Sequence, residues 1–177
     1  MRLPFALCLG LIATLSHATP EEADWLDLLT PEDLDAMLAM PEIGHDGAEG
    51  EGTFYAPGGL KQQPGLPAVM YSTRTVAELN GQALSLVGYP VPLAGQPGER
   101  LQRFFLLPYP GACNHVPPPP PNQIVLVRYP RGFGVADPYV PLRVSGTLKV
   151  EALHSAQGDA AYALDADSVG LIEEGGD

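Results

Sequence analysis

The sequence predicts a mainly β domain: a small barrel of five or six strands, OB-like (of the oligonucleotide/oligosaccharide-binding type), with short helices at its N-terminus. Three observations predict it. Short runs rich in β-branched and aromatic residues fill the chain from Ala68 onward. Gly, Pro and Asn separate these runs at short intervals, with little helical periodicity between them. A lone antiparallel sheet also exposes its edges, and closure into a barrel removes them. The same spacing suits a β-sandwich, which stands as the alternative.

The chain divides into five segments. Residues 1–18 read as an export signal: Arg2, an apolar run from Leu3 to Leu15, and small residues at Ser16 and Ala18. That run is too short to span a membrane comfortably, so the chain is expected to be soluble after signal cleavage, and periplasmic. Residues 19–40 hold two tandem helix starts, "TPEEADWLDLL" and "TPEDLDAMLAM". Thr19 and Thr30 suit the cap position, Pro20 and Pro31 the first helical position, and Glu22 and Asp33 the acid-favouring first turn. Trp25, Leu28 and Leu29 form one apolar face, and Leu34, Met37 and Leu38 the other. Both are narrow stripes, expected to pack on the domain's own core.

Residues 41–67 are a Gly/Pro/acidic linker or loop, with His45 among its acids. The barrel domain is placed at 68–170. Its expected strands are "AVMYSTRTV", the run after the Asn80–Gly81 turn up to a bend at Gly88, "RFFLLPY", "NQIVLVRY", "YVPLRVSGTLKVEAL" with a bulge at Gly146, and "AAYALDADSVGLI" with a turn inside it. "PRGFGVADP" is expected to be a loop. Residues 171–177 form an acidic tail.

Charge excludes some partners. Nine basic residues less Arg2 leave eight against 21 acidic, a balance of −13. Nucleic acid and anionic membrane surfaces repel such a chain. Once Cys8 leaves with the signal, Cys113 is the one remaining cysteine, so no intramolecular disulfide forms.

That cysteine stands in "GACNHVPPPPPNQIVLV". Residues two apart on extended backbone point the same way, so Cys113 and His115 share a side. A thiolate and an imidazole suit a borderline-soft ion, zinc above all. Two ligands are too few, so His154, His45, a carboxylate, water or another chain must complete a metal site. Pro117 to Pro121 form a polyproline II rod about 15 Å long. It either braces the ligand pair, clasps Tyr109, Tyr129 or Phe133, or stands exposed for an aromatic groove on a partner. Cys113 as a buried structural thiol, or as a reactive one, remains open.

"LNGQALSLVGYPVPL", "FFLLPYPGACNHVPPPPPNQIVLV" and "VSGTLKVE" resemble an uncharacterised family of exported bacterial proteins, a domain of unknown function. Its mark looks like Gly-Ala-Cys-x-His-x-Pro-Pro-Pro-Pro-x-Asn-Gln, matched here from Gly111 to Gln123. The resemblance runs from about Ala68 to Val169 and leaves out the helical start. It implies a periplasmic location and, through neighbouring ABC transporters and zinc-responsive gene clusters, metal handling or transporter assistance.

Three functions follow. The first is a zinc-binding accessory protein with a periplasmic or inner-membrane transporter as partner. The second is a non-catalytic interaction module using the barrel face or the proline rod. The third is a thiol-dependent enzyme, which lacks a nucleophile elbow, a Cys-x-x-Cys and an orienting third group. No catalytic residue is assigned.

Overall fold

The backbone groups of five strands are satisfied by closing one sheet on itself. This is seen in a computed structural model that describes residues 20–40, 54, 57–93, 100–110, 117–134, 137 and 139–172. The elements are β1 (Glu21–Glu22), α1 (Pro31–Leu38), β2 (Ala83–Pro92), β3 (Arg100–Leu107), β4 (Val125–Gly134), β5 (Leu142–His154) and β6 (Asp159–Leu171). Strands β2, β3, β4, β6 and β5 follow one another around the sheet, and β5 pairs back onto β2. All these pairs are antiparallel except β4–β6, which is parallel. The result is the expected five-stranded OB-like barrel, with β1 added in parallel beside β2.

Gly88 is where β2 changes partner, from Leu142 on β5 to the β3 strand, on which Tyr89 meets Leu107. A Cβ there would stand 2.5 Å from the Leu107 carbonyl and 2.9 Å from the Trp25 ring, so the close approach needs glycine. Leu84, Leu86, Phe104, Leu106, Val125, Val127, Val144, Leu148, Tyr162 and Leu164 fill the barrel. The alternate residues Phe105, Leu107, Leu126 and Ala163 form a second apolar cluster with Phe54 and Leu60. Burial on both faces explains why "FFLL" and "IVLV" are continuous apolar runs rather than alternating ones.

Several expected elements differ. Residues 68–76 are not a strand. Ala68–Tyr71 forms a 3-10 turn and the rest is extended without a ladder. Its backbone groups go to side chains and a loop instead: Val76 N–H donates to the Tyr162 hydroxyl, and the Ser72 carbonyl accepts from Asn122 N–H. The barrel therefore begins at Ala83. Asn122 and Gln123, expected in a strand, form a 3-10 turn with Pro121. "PRGFGV" continues β4 as far as Gly134, because Leu101 and Arg100 pair with Phe133 and Gly134. The last strand runs unbroken over Asp159–Leu171, laddered to β5 from end to end with two register shifts.

The first N-terminal helix is replaced. Glu21 and Glu22 pair with β2 and Ala23 N–H donates to the Ser85 carbonyl, so the sheet edge takes the backbone a helix would need. Asp24 then caps a short 3-10 turn, Trp25–Leu28, with Asp27 completing a capping box. The second start is as expected, with Thr30 capping and Pro31 at its first position. Its faces are not: the buried residue of α1 is Asp33, and Leu38 is exposed. Leu28 is fully buried among the barrel's interior residues, held by its carbonyl to the Tyr162 hydroxyl at 2.8 Å. Burying it contributes about 1.5–3 kcal/mol. Among the described residues no helix is long and apolar enough to cross a membrane.

Candidate functional site

The Cys-His loop lies between the end of β3 and the proline rod, and both of its ends are held. Tyr109, just after β3, donates its hydroxyl to the Pro117 carbonyl at 2.9 Å, tying the two ends of the loop together. Burial raises the phenol's pKa well above its ordinary value, so it remains a donor. Pro118 to Pro121 are buried. The rod is therefore a clasp, with Tyr109 as its aromatic partner; Tyr129 and Phe133 pack against the barrel core instead. A rod gripped from outside by a partner's aromatic groove does not fit this burial.

Polyproline II backbone has carbonyls with no internal donors. Gln62 supplies them: its Nε2 donates to the Pro118 and Pro119 carbonyls at 2.9 and 2.7 Å. The described part of the 41–67 loop thus belongs to the barrel. Leu60 bridges to Gly158, and Gly58 N–H donates to the Ala156 carbonyl. Phe54 and Leu60 cover the outer apolar face of β3 and β4. That is the face on which barrels of this type hold oligonucleotides or oligosaccharides, and here the chain occupies it.

At its far end the rod meets the N-terminal segment. Asn122 Nδ2 donates to Asp33 Oδ2 at 2.9 Å and to the Arg74 carbonyl at 3.1 Å. Gln123 Nε2 donates to the Trp25 carbonyl at 2.7 Å. Asp33, 0 % exposed, also accepts from Ser72 Oγ at 2.7 Å and from Arg74 Nε at 3.1 Å. Burial by itself would raise the Asp33 pKa; the hydrogen bonds from Arg74 and Ser72, with the Arg74 charge, outweigh it and hold it below the usual carboxylate range. The Asp33, Ser72, Arg74 and Gln62 roles were invisible in sequence. Asn122 and Gln123 did carry a signal: two amides between buried prolines and "IVLV" need partners.

Cys113, His115 and His45 lie outside the described residues. His154 is described and stands 76 % exposed at the end of β5. Its Nδ1 is 3.2 Å from Asp159 Oδ1, an oxygen that also accepts from Lys61 Nζ at 2.8 Å. Among the described residues no three His, Cys, Asp or Glu side chains converge as a metal would require. His154 thus stands beside the Asp159–Lys61 ion pair.

A sequence profile described as a protein of unknown function, DUF3299, matches residues 25–171. The chain belongs to the DUF3299 family. A crystal structure of a DUF3299-family protein from Pseudomonas aeruginosa PAO1 is similar to it, with a TM-score of 0.62 and 33% identity. That likeness covers 90% of this chain and 100% of the other. No curated protein matches the chain. The DUF3299 match begins at Trp25, well before Ala68, where the resemblance was placed. The physical reason is on hand: Trp25, Leu28 and Asp33 are bound by the barrel and by the clasp, so the helical start is part of the DUF3299 domain.

Removing the Tyr109 hydroxyl opens the base of the loop. Tyr109→Phe is expected to cost about 1 kcal/mol of stability and to speed alkylation of Cys113, read from denaturant melts and the rate of thiol labelling.

Proposed function

We propose that the protein is an exported zinc-binding accessory protein. Its metal ligands are Cys113 and His115, and it serves a membrane transporter at the periplasmic face. The observation supporting this reading is the anchoring of their loop at both ends, by Tyr109 on Pro117 and by a buried rod under Gln62. A ligand pair needs rigid supports of this kind to be held in a fixed geometry. The chemistry of the pair supplies the rest: thiolate and imidazole nitrogen are zinc's usual donors, and a partner's side chain or water completes the shell. His154, beside Asp159, and His45 are further ligand candidates that the pair does not require. The reading takes residues 1–18 as the export signal, which leaves Cys113 as the one thiol of the mature chain.

Competition of reduced mature protein against a chromophoric zinc chelator tests it. One equivalent is expected to bind. Cys113→Ser and His115→Ala should each weaken binding by more than the roughly 10–100-fold that loss of a merely supporting residue costs. Affinity is expected to fall as pH falls, since both ligands must be deprotonated. Equal affinity in wild type and Cys113→Ser overturns the reading.

A further inference from the structure

Eight lysines and arginines are described, and five of them are paired with carboxylates. Lys61 holds Asp159, Arg74 holds Asp33 and Glu32, and Arg128 holds Glu151 and Asp165. Arg143 holds Glu22 and Lys149 holds Asp165. The remaining three are Arg100, Arg103 and Arg131, exposed on the β3–β4 hairpin, and among the described residues no carboxylate pairs with them. In a chain of net charge −12, three arginines on one hairpin with no carboxylate partner among the described residues are a departure from the surrounding surface.

Two of these guanidiniums are set in place by uncharged groups. Arg100 donates to the Gly132 carbonyl at 2.6 Å, and Arg131 donates to the Asp167 carbonyl. The Arg131 guanidinium carbon also lies 5.0 Å from the centre of the Tyr129 ring. Gln102 donates to the Pro130 carbonyl at 3.0 Å and braces the same strand end. Neutral carbonyls and a ring face restrict these side chains yet leave their charge and remaining donors available. Less rotamer freedom is then lost when an anion arrives. Arg103 sits directly across from Arg128, which already holds two carboxylates.

We propose that the β3–β4 hairpin, through Arg100, Arg103 and Arg131, docks a short acidic segment of a partner protein. Guanidinium groups take carboxylates in bidentate pairs. The flanking acids select for a narrow occupant: Glu151, Asp165 and Asp167 border the patch on β5 and β6. An extended polyanionic surface, such as a bilayer or a nucleic acid duplex, would bring its charge against them. A segment with a few carboxylates avoids them. This surface stands independently of the metal reading.

The test is fluorescence anisotropy of a labelled hexaglutamate peptide with the full mature chain. Saturable binding is expected, weakening as salt rises. The double variant Arg103→Glu/Arg131→Glu should weaken it tenfold or more, and Arg103→Gln alone by a smaller factor. Arg143→Gln, which removes a cation already paired with Glu22, should leave it unchanged. No binding at low salt, or equal losses in Arg143→Gln and the double variant, overturns the proposal. Hairpin-dependent binding to phosphatidylglycerol vesicles without peptide binding overturns it in favour of a membrane. Self-association in sedimentation that the double variant abolishes overturns it in favour of a second copy of the chain.

Discussion

Asp33→Ala is expected to lower stability by about 3 kcal/mol and to release the N-terminal segment from the barrel. The carboxylate is fully buried and gathers three side chains from two distant stretches, Ser72 and Arg74 from one and Asn122 from the other, while Thr30 caps its backbone N–H. Deleting it leaves the Ser72 hydroxyl without that acceptor and takes one acceptor from the Asn122 amide. A buried donor so orphaned costs about 1–3 kcal/mol, and the buried Asn122 amide and partly buried Ser72 hydroxyl both lose an acceptor, while the half-exposed Arg74 turns to water. Asp33→Asn should fall between, because its amide oxygen still accepts. The readouts are urea melts and proteolysis near residues 20–40.

The same group sets an acid limit. Its pKa is lower in the folded state than in the unfolded chain. Its contribution is therefore fully present above the ordinary carboxylate range, about pH 4, and is lost as pH falls from there through the folded pKa. Asp159 and Asp165 are shifted the same way and add to that loss: burial opposes the shift at Asp159 but Lys61 prevails, and Lys149 leads it at Asp165. Asp33→Ala is expected to flatten the stability profile below pH 4 relative to wild type. A variant profile parallel to wild type would remove Asp33 as a cause.

Gly146→Val is expected to be the most damaging single change in the barrel. Gly146 faces Ala166 at a register shift between β5 and β6, where a Cβ would collide with the Asp165 carbonyl and stand 2.8 Å from the Ala166 Cα. Both obstacles are backbone in a paired strand, so neither can swing aside as a side chain would. The alternatives are to break the β5–β6 ladder or to push the two strands apart, which opens the interior around Leu148 and Leu164. Loss of about 3–5 kcal/mol, the scale of severe core disruption, would leave little folded protein at physiological temperature. Gly146→Ala should show a milder form of the same defect. A valine variant that melts within a few degrees of wild type would mean that β6 shifts easily there.

Much of the barrel was legible from residue pattern. The alternation Leu84, Leu86 and the series Leu142, Val144, Leu148, Val150 pointed to the side that faces inward; the first five are buried in the interior cluster, and Val150, past the inner part of β5, is exposed. Gly88 and Gly146 marked the partner change and the register shift. The errors cluster where backbone groups find partners far along the chain. "AVMYSTRTV" has strand composition, but its amides and carbonyls go to Tyr162 and Asn122. Leu34, Met37 and Leu38 read as the buried stripe of α1, yet hydrogen bonds from Asn122 and Ser72 and a half-exposed Arg74 turned Asp33 inward instead. Local periodicity carries no information about a partner 41 residues away.

By itself the sequence determined the strand content, the inward faces, the glycine positions and the candidate ligand pair, since each depends on neighbours within a few residues. Only the tertiary structure decided that "PPPPPNQ" is a clasp. Its carbonyls accept from Gln62, its Asn122 binds Asp33 and its Gln123 binds the Trp25 carbonyl, joining three stretches that are remote in the chain. The physical reason is that a buried polar group must find a partner, while composition shows only that it needs one.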